Sequence, residues 1–259
     1  MSKQPLAELT GHLDRLLRVA ETPDYPPALN GLQLANSGTV RRVAAAVDAS
    51  LRTIDGAIAA GADLLLVHHG LFWAGAQRVD GVQYQRLHRL FTHDVAVYSA
   101  HLPLDVHPVH GNSRLLAIEL GLVPTDGFAM FEGVFCGVRG ESTVRTNALH
   151  DRLRTFARSH GGDAIATPFP PERETRRWAI CSGAGASRET LHEAAAFGVD
   201  TLIVGEGPHW TAVDAIDAGL VVMYAGHYAT ETLGVCSLAA HIEREFGVPW
   251  AFIAAPTGL

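Results

Sequence analysis

The sequence predicts an α/β fold of two related lobes, each built from βαβ units. Sliding the chain on itself by 137 positions pairs residues 50–73 with 187–210 without a gap, and 10 of the 24 pairs are identical. A shift of 126 then lays residues 95–105 on 221–231, so each half follows an apolar run with His-x-x-x-carboxylate, His101 with Asp105 and His227 with Glu231. Short apolar runs alternate with helical stretches and are separated by glycine, the pattern of strand-helix-strand units in a mostly parallel sheet. Two copies are too few for a solenoid, whose repeats bury their faces by stacking several deep. Two similar lobes with equivalent strand ends facing a shared cleft are the natural reading.

At 259 residues and 47% hydrophobic content the chain can bury a large core. Length allows one or two domains, and the duplication decides for two, residues 1–125 and 126–259, with the last helix and strand able to pack back on the first lobe. The net charge of −7 leaves no basic face for nucleic acid. Cys136, Cys181 and Cys236 are odd in number and form no Cys-x-x-Cys pair, so neither a disulfide framework nor a thiolate zinc site is indicated. The N-terminus lacks an apolar signal core, and no run approaches the roughly 18 apolar residues of a membrane span. A soluble cytoplasmic protein with no membrane partner is the expectation.

Taken in order, Leu6, Leu9, Leu13, Leu16, Leu17 and Ala20 recur at the spacing of an amphipathic helix. Residues 22–27 form a proline-rich connector, and Asn30-Gly31-Leu32-Gln33 looks like a turn. Residues 43–47 are a short apolar strand, and Ser50 is placed to cap a helix over 51–60 that Gly61 ends. Residues 64–67 read as a buried strand, 84–92 as a helix and 95–99 as the next strand. The loop after His101 contains Pro103 and Pro108, which argue against regular helix. Residues 113–120 form a helix closed by Gly121. In the second lobe, strands are expected at 131–138, 178–181, 202–204, 220–224 and 250–254. Helices are expected at 144–159, 211–218 and 230–246, and Ser182 to Ser187 reads as a tight turn with Ser187 as helix cap.

The chemistry gathers where strands end, which is where open α/β sheets bind ligands. Imidazole nitrogens and carboxylate oxygens are the usual N and O ligands of divalent transition metals. His68 and His69 are adjacent. On a continuing strand they would face opposite ways, so both serve one cleft only if the strand stops or each meets a different ion. A two-metal centre resolves that geometry. His227 and Glu231, four apart at a helix start, share one face, and a carboxylate there can bridge two cations. Glu231 is the candidate bridge, and Asp105, its duplicate, would bind one ion from the opposite lobe. The expectation is therefore a dinuclear metal site in the cleft between the lobes. A lone histidine at a strand end is ordinarily just a hydrogen-bonded imidazole. The pairing, the duplication and the apolar strand before each element shift the balance, because apolar-flanked ionisable groups without a role carry avoidable desolvation cost. His101 can be a ligand, an orienter behind one, or a general acid/base. His209, on the duplicate of the His-His element, is a second candidate for proton transfer.

With Asn30-Gly31-Leu32-Gln33, His68-His69-Gly70-Leu71-Phe72-Trp73, His101 to Asp105, the Gly183-x-Gly185 turn, Gly205-Glu206-Gly207 and Ala225-Gly226-His227-Tyr228-x-x-Glu231 on the page, the chain resembles the Nif-three-like family of dinuclear metal-centre hexameric proteins, over nearly its whole length. Members often carry the name GTP cyclohydrolase I type 2 homologue. The resemblance implies metal ligands at His68, His69, Asp105, His227 and Glu231, two divalent ions per chain, a two-lobed fold and a toroidal homohexamer. It also implies a hydrolase, with GTP opened at the purine C8 and formate released, and so a small-molecule substrate of nucleotide type. An N/O ligand set admits Zn, Fe, Mn, Co or Ni. The alternative function is a non-enzymatic metal-binding regulatory or interaction scaffold. The segment Pro27-Ala28-Leu29-Asn30 departs from the family, which more often has an Asp-Asn pair there.

Overall fold

The structure is a computed structural model that describes residues 3–73, 75 and 77–259. It is a mixed α/β fold whose chain divides into two compact units, Met1–His107 with Gly234–Ala255, and Pro108–Leu233 with Pro256–Leu259. The division falls elsewhere than the 125/126 boundary expected from sequence. Leu116, Ala117 and Leu120 of the helix Asn112–Glu119 are buried against Trp178 and Ile180, so this helix counts with the second sheet.

The first unit is a five-stranded sheet in the order Trp250–Phe252, Val43–Asp48, Leu64–His69, Ala96–Ser99, Gly31–Leu34. The first four strands run parallel, and Gly31–Leu34 closes the edge antiparallel to Ala96–Ser99. The expectation of a turn at Asn30 to Gln33 is corrected here. The Asn-Gly pair starts a strand, with the left-handed φ of 91° that bends the chain confined to Gly31. Both faces of the sheet are covered. Val43, Ala45, Leu64, Leu66, Ala96 and Tyr98 pack with the helices Leu6–Leu16 and Thr232–Phe246. The alternate residues Ala44, Ala46, Leu65, Val67 and Val97 pack with Leu51–Ala59 and Gly81–Thr92. That alternation is the period-two geometry of a strand buried on both sides. Ser50 caps Leu51–Ala59 by accepting from the Thr53 amide, while the Thr53 hydroxyl accepts from the Ser50 amide.

The second unit is a six-stranded sheet in the order Asp126–Phe131, Val134–Arg145, Glu174–Cys181, Thr201–Val204, Val221–Tyr224, Ile165–Ala166. Its parallel core is Glu174–Cys181, Thr201–Val204 and Val221–Tyr224. Asn112–Glu119 and Thr146–Ser159 cover one face, Arg188–Ala196 and His209–Asp217 the other. A single strand was expected over 131–138. Two antiparallel strands are found instead, because Glu132 (φ 43°) and Gly133 (φ 91°) form a two-residue hairpin loop that needs positive φ at both positions. The second strand then runs on to Arg145, delaying the helix to Thr146. Ser187 caps Arg188–Ala196 through Thr190 by the same reciprocal pair of bonds seen at Ser50 and Thr53. Among the described residues no helix is long and apolar enough to cross a membrane.

Candidate functional site

Each unit gathers ionisable side chains at the carboxyl ends of its parallel strands. In the first, Leu64–His69 ends on the two adjacent histidines, and His101 follows Ala96–Ser99. The strand stops at His69, so both rings turn to the same neighbourhood, with centroids 4.8 Å apart, and His101 lies 5.0 Å from His68 and 5.7 Å from His69. One ligand nitrogen from each of the three rings falls within 4.8 Å of the others, and the trio could hold a metal ion. Asp105 closes the group, its Oδ2 lying 3.4 Å from Nε2 of the fully buried His68. It is carried there by the short helix Leu102–Asp105. The two prolines do not forbid this helix, because Pro103 sits at its start, where the missing amide has no intrahelical partner to lose.

The orientation of each ring is set from behind. Nδ1 of His68 donates to the Ala100 carbonyl at 2.7 Å, Nδ1 of His69 to Asp48 Oδ1 at 2.8 Å, and Nδ1 of His101 to Asp24 Oδ1 at 2.8 Å. A carbonyl or carboxylate oxygen only accepts, so each Nδ1 carries a proton, and in the neutral ring it is Nε2 that is left as the acceptor, the arrangement found behind metal-ligating histidines. Trp73 lies edge-on against His101, centroids 4.7 Å apart. A Cβ at Gly70 would displace the side-chain amide of Gln33, whose Oε1 accepts from the Leu71 amide at 2.6 Å.

In the second unit His227 opens the helical turn His227–Thr230 just after the strand Val221–Tyr224, and Glu231, 3% exposed, ends it. Nδ1 of His227 donates to Glu206 Oε1 at 2.6 Å, and its Nε2 faces Glu231 Oε2 at 3.1 Å. With the Nδ1 hydrogen given to Glu206, the contact with Glu231 is made by a second proton on Nε2 when the ring is charged, and a metal ion at Nε2 would take that proton's place. Burial pushes the His227 pKa down, but hydrogen bonding and charge from Glu231 and then Glu206 outweigh it and hold the pKa up, at about 9. The Gly183 turn packs against this pair. Its amide donates to the Thr230 hydroxyl at 3.0 Å, and a Cβ at Gly183 would collide with the Glu231 carboxylate.

The candidates named from sequence are thus placed as two clusters, His68, His69, His101 and Asp105 in one unit, His227 and Glu231 in the other. His209 is exposed at the start of His209–Asp217 and is not part of the contacts around His227. Sequence reasoning passed over Asp24, Asp48 and Glu206, the carboxylates behind the histidines. Asp24 lies in the proline-rich connector, and Asp48 falls between the apolar strand 43–47 and the cap at Ser50. Only the position of Glu206 in the Gly205-Glu206-Gly207 motif offered a signal.

Comparison with known proteins gives a consistent result. The model of the Duf34/NIF3 (NGG1p interacting factor 3) family matches residues 5–257. A Deinococcus radiodurans protein named GTP cyclohydrolase 1 type 2 homolog is 41% identical over 258 residues, covering 97% of this chain and 94% of its own. A Halobacterium salinarum protein of the same name is 39% identical, covering 98% and 99%. Among solved structures, protein ybgI, described as of unknown function, superposes with a TM-score of 0.88 at 32% identity, covering 99% of this chain and 100% of its own. A Thermus thermophilus crystal structure does so with 0.84 at 38% identity over the same shares.

Proposed function

The chain belongs to the Duf34/NIF3 family, and on that premise we propose that it is a metal-dependent hydrolase holding two divalent ions per chain. The residues that would hold them are His68, His69 and Asp105 in one unit and His227 and Glu231 in the other. One observation carries this reading. In each unit a histidine gives its Nδ1 hydrogen to an acceptor behind it and turns Nε2 toward a buried or nearly buried carboxylate, at 3.4 Å for His68 with Asp105 and 3.1 Å for His227 with Glu231. A nitrogen and a carboxylate oxygen set face to face in this way suit a positive charge between them, a proton on the ring or a metal ion in its place. Divalent ions held there would act as Lewis acids toward the bond attacked and toward water.

The protein's own groups do the rest. Ala100, Asp48 and Glu206 each fix one imidazole by its Nδ1 hydrogen, so each Nε2 is aimed before a cation enters. His101, held by Asp24 and walled by Trp73, is placed to carry a proton, and His209 is the second candidate for that role. The matching capping pairs Ser50 with Thr53 and Ser187 with Thr190, 137 residues apart, and the run of three consecutive parallel strands that Val43–Asp48, Leu64–His69 and Ala96–Ser99 share with Glu174–Cys181, Thr201–Val204 and Val221–Tyr224 support an origin by duplication. The names of the curated relatives make GTP the first substrate to test. The family resemblance extends the reading to a homohexamer, which light scattering would check.

The test is elemental analysis of the purified protein, wild type against Glu231→Gln, followed by incubation of the loaded protein with GTP and with generic phosphoesters. Two ions per chain in the wild type, fewer in the variant, and turnover lost with them are expected. Bound metal without turnover would favour the scaffold alternative, and a metal-free wild type after purification and reconstitution would end the reading.

A further inference from the structure

Of the carboxylates behind the histidines, Asp24 stands apart. The side chains of Asp48 and Glu206 are 37% and 45% exposed, whereas that of Asp24 is 6% exposed. Its two oxygens accept from four separate donors. Oδ1 takes the Tyr25 amide at 2.7 Å and the His101 Nδ1 hydrogen at 2.8 Å, and Oδ2 takes the Asn30 side-chain amide at 2.8 Å and the Leu102 amide at 3.1 Å. Asn30 completes the circuit by accepting the His101 backbone amide on its Oδ1 at 2.8 Å. Three points of the chain, the proline-flanked segment at 24–25, Asn30 and the start of Leu102–Asp105, are thereby tied around one carboxylate.

We propose that Asp24 is a positioning residue, acting through His101. By accepting the Nδ1 hydrogen it commits the neutral ring of His101 to the one tautomer whose Nε2 is an acceptor, able to take up a cation or a proton. The proposal deepens the hydrolase reading, on which it rests for its catalytic meaning: in that tautomer His101 can act as a base. The tautomer itself stands on the hydrogen-bond geometry alone. Asparagine cannot replace Asp24 without conflict, because either orientation of its amide sets the NH2 group against two N–H donors, the Tyr25 and His101 pair or the Asn30 and Leu102 pair. The His101 half of the first conflict is relieved if its proton moves to Nε2 and Nδ1 becomes the acceptor, which leaves the Tyr25 amide as the one unsatisfied donor.

The experiment is nitrogen-15 NMR of histidine-labelled, metal-free protein at a pH where the imidazoles are neutral, with His101 assigned by His101→Gln. Wild type is expected to show a protonated Nδ1 and a pyridine-like Nε2 at His101. Asp24→Asn is expected to lower the ratio of these tautomers about tenfold or more, the scale of a lost hydrogen bond to a charged acceptor. Because Asp24→Asn can disturb folding, Asn30→Ala, which removes one donor and leaves the carboxylate, provides a milder second variant with a smaller shift in the same direction. A wild-type His101 protonated on Nε2, or a folded Asp24→Asn with unchanged tautomers, overturns the proposal. Since no metal is present in the measurement, a failure of metal binding or of turnover would count against the hydrolase reading alone.

Discussion

A metal ion bound at His227 as proposed would compete with a proton for Nε2, and the competition sets a measurable pH dependence. Without metal, Glu231 and Glu206 outweigh burial and hold the imidazole pKa at about 9, above its ordinary 6.5. Ligation needs the neutral ring. Below about 9 each pH unit therefore lowers the apparent affinity for an ion at this imidazole about tenfold, so pH 7 costs about 100-fold, or about 2.7 kcal/mol, relative to pH 9. Competitive zinc titrations at pH 7, 8 and 9, with proton release read from buffers of different ionisation enthalpy, measure both quantities. Release of about one proton per ion from His227 at pH 7 is expected, falling toward zero by pH 10. In Glu231→Gln the group that most raises the pKa is gone, so the slope between pH 7 and 9 flattens while affinity at pH 9 drops. Equal wild-type affinity at pH 7 and 9 would refute the reasoning. The same charge acts on the metal-free fold with the opposite sign. A folded pKa above the unfolded one contributes stability that is fully present below pH 6.5 and is lost as pH rises through about 9.

Two further outcomes follow from local geometry. Gly183→Ala puts a methyl group into the Glu231 carboxylate at a residue with φ of 62°, so loss of metal at His227 and Glu231 is expected, with a backbone cost of about 1–2 kcal/mol read by denaturant unfolding. Ser50→Ala removes the acceptor for the Thr53 amide and should cost about 1 kcal/mol of stability while leaving metal content unchanged.

Much of the fold is written in local pattern. Strands buried on both faces must be apolar throughout, which is why 43–47 and 64–67 stand out, and a serine followed three residues later by threonine marks both capped helices. What escaped was decided by neighbours. Glu132-Gly133 turns a strand back on itself because two residues with positive φ fit a hairpin, yet Phe131 and Val134 around them read as one run. Gly31–Leu34 carries a turn signature and becomes a strand because Ala96–Ser99 offers an unpaired edge. Pro103 looked like a helix breaker and is a helix starter because of its position at the first turn.

For the site, residue type and spacing singled out His68, His69, Asp105, His227 and Glu231 as candidates, since imidazoles and acids after apolar strands have few cheap explanations. They could not identify Asp24, Asp48 or Glu206. An acid's role behind a histidine depends on direction and distance between segments that lie 77, 21 and 21 residues apart, and only folding brings them within a hydrogen bond. Ligand chemistry is thus a property of the sequence, because it needs only the right atoms at the ends of strands. The tautomer and aim of each ring belong to the tertiary structure, because a hydrogen bond is made by whichever acceptor the fold delivers.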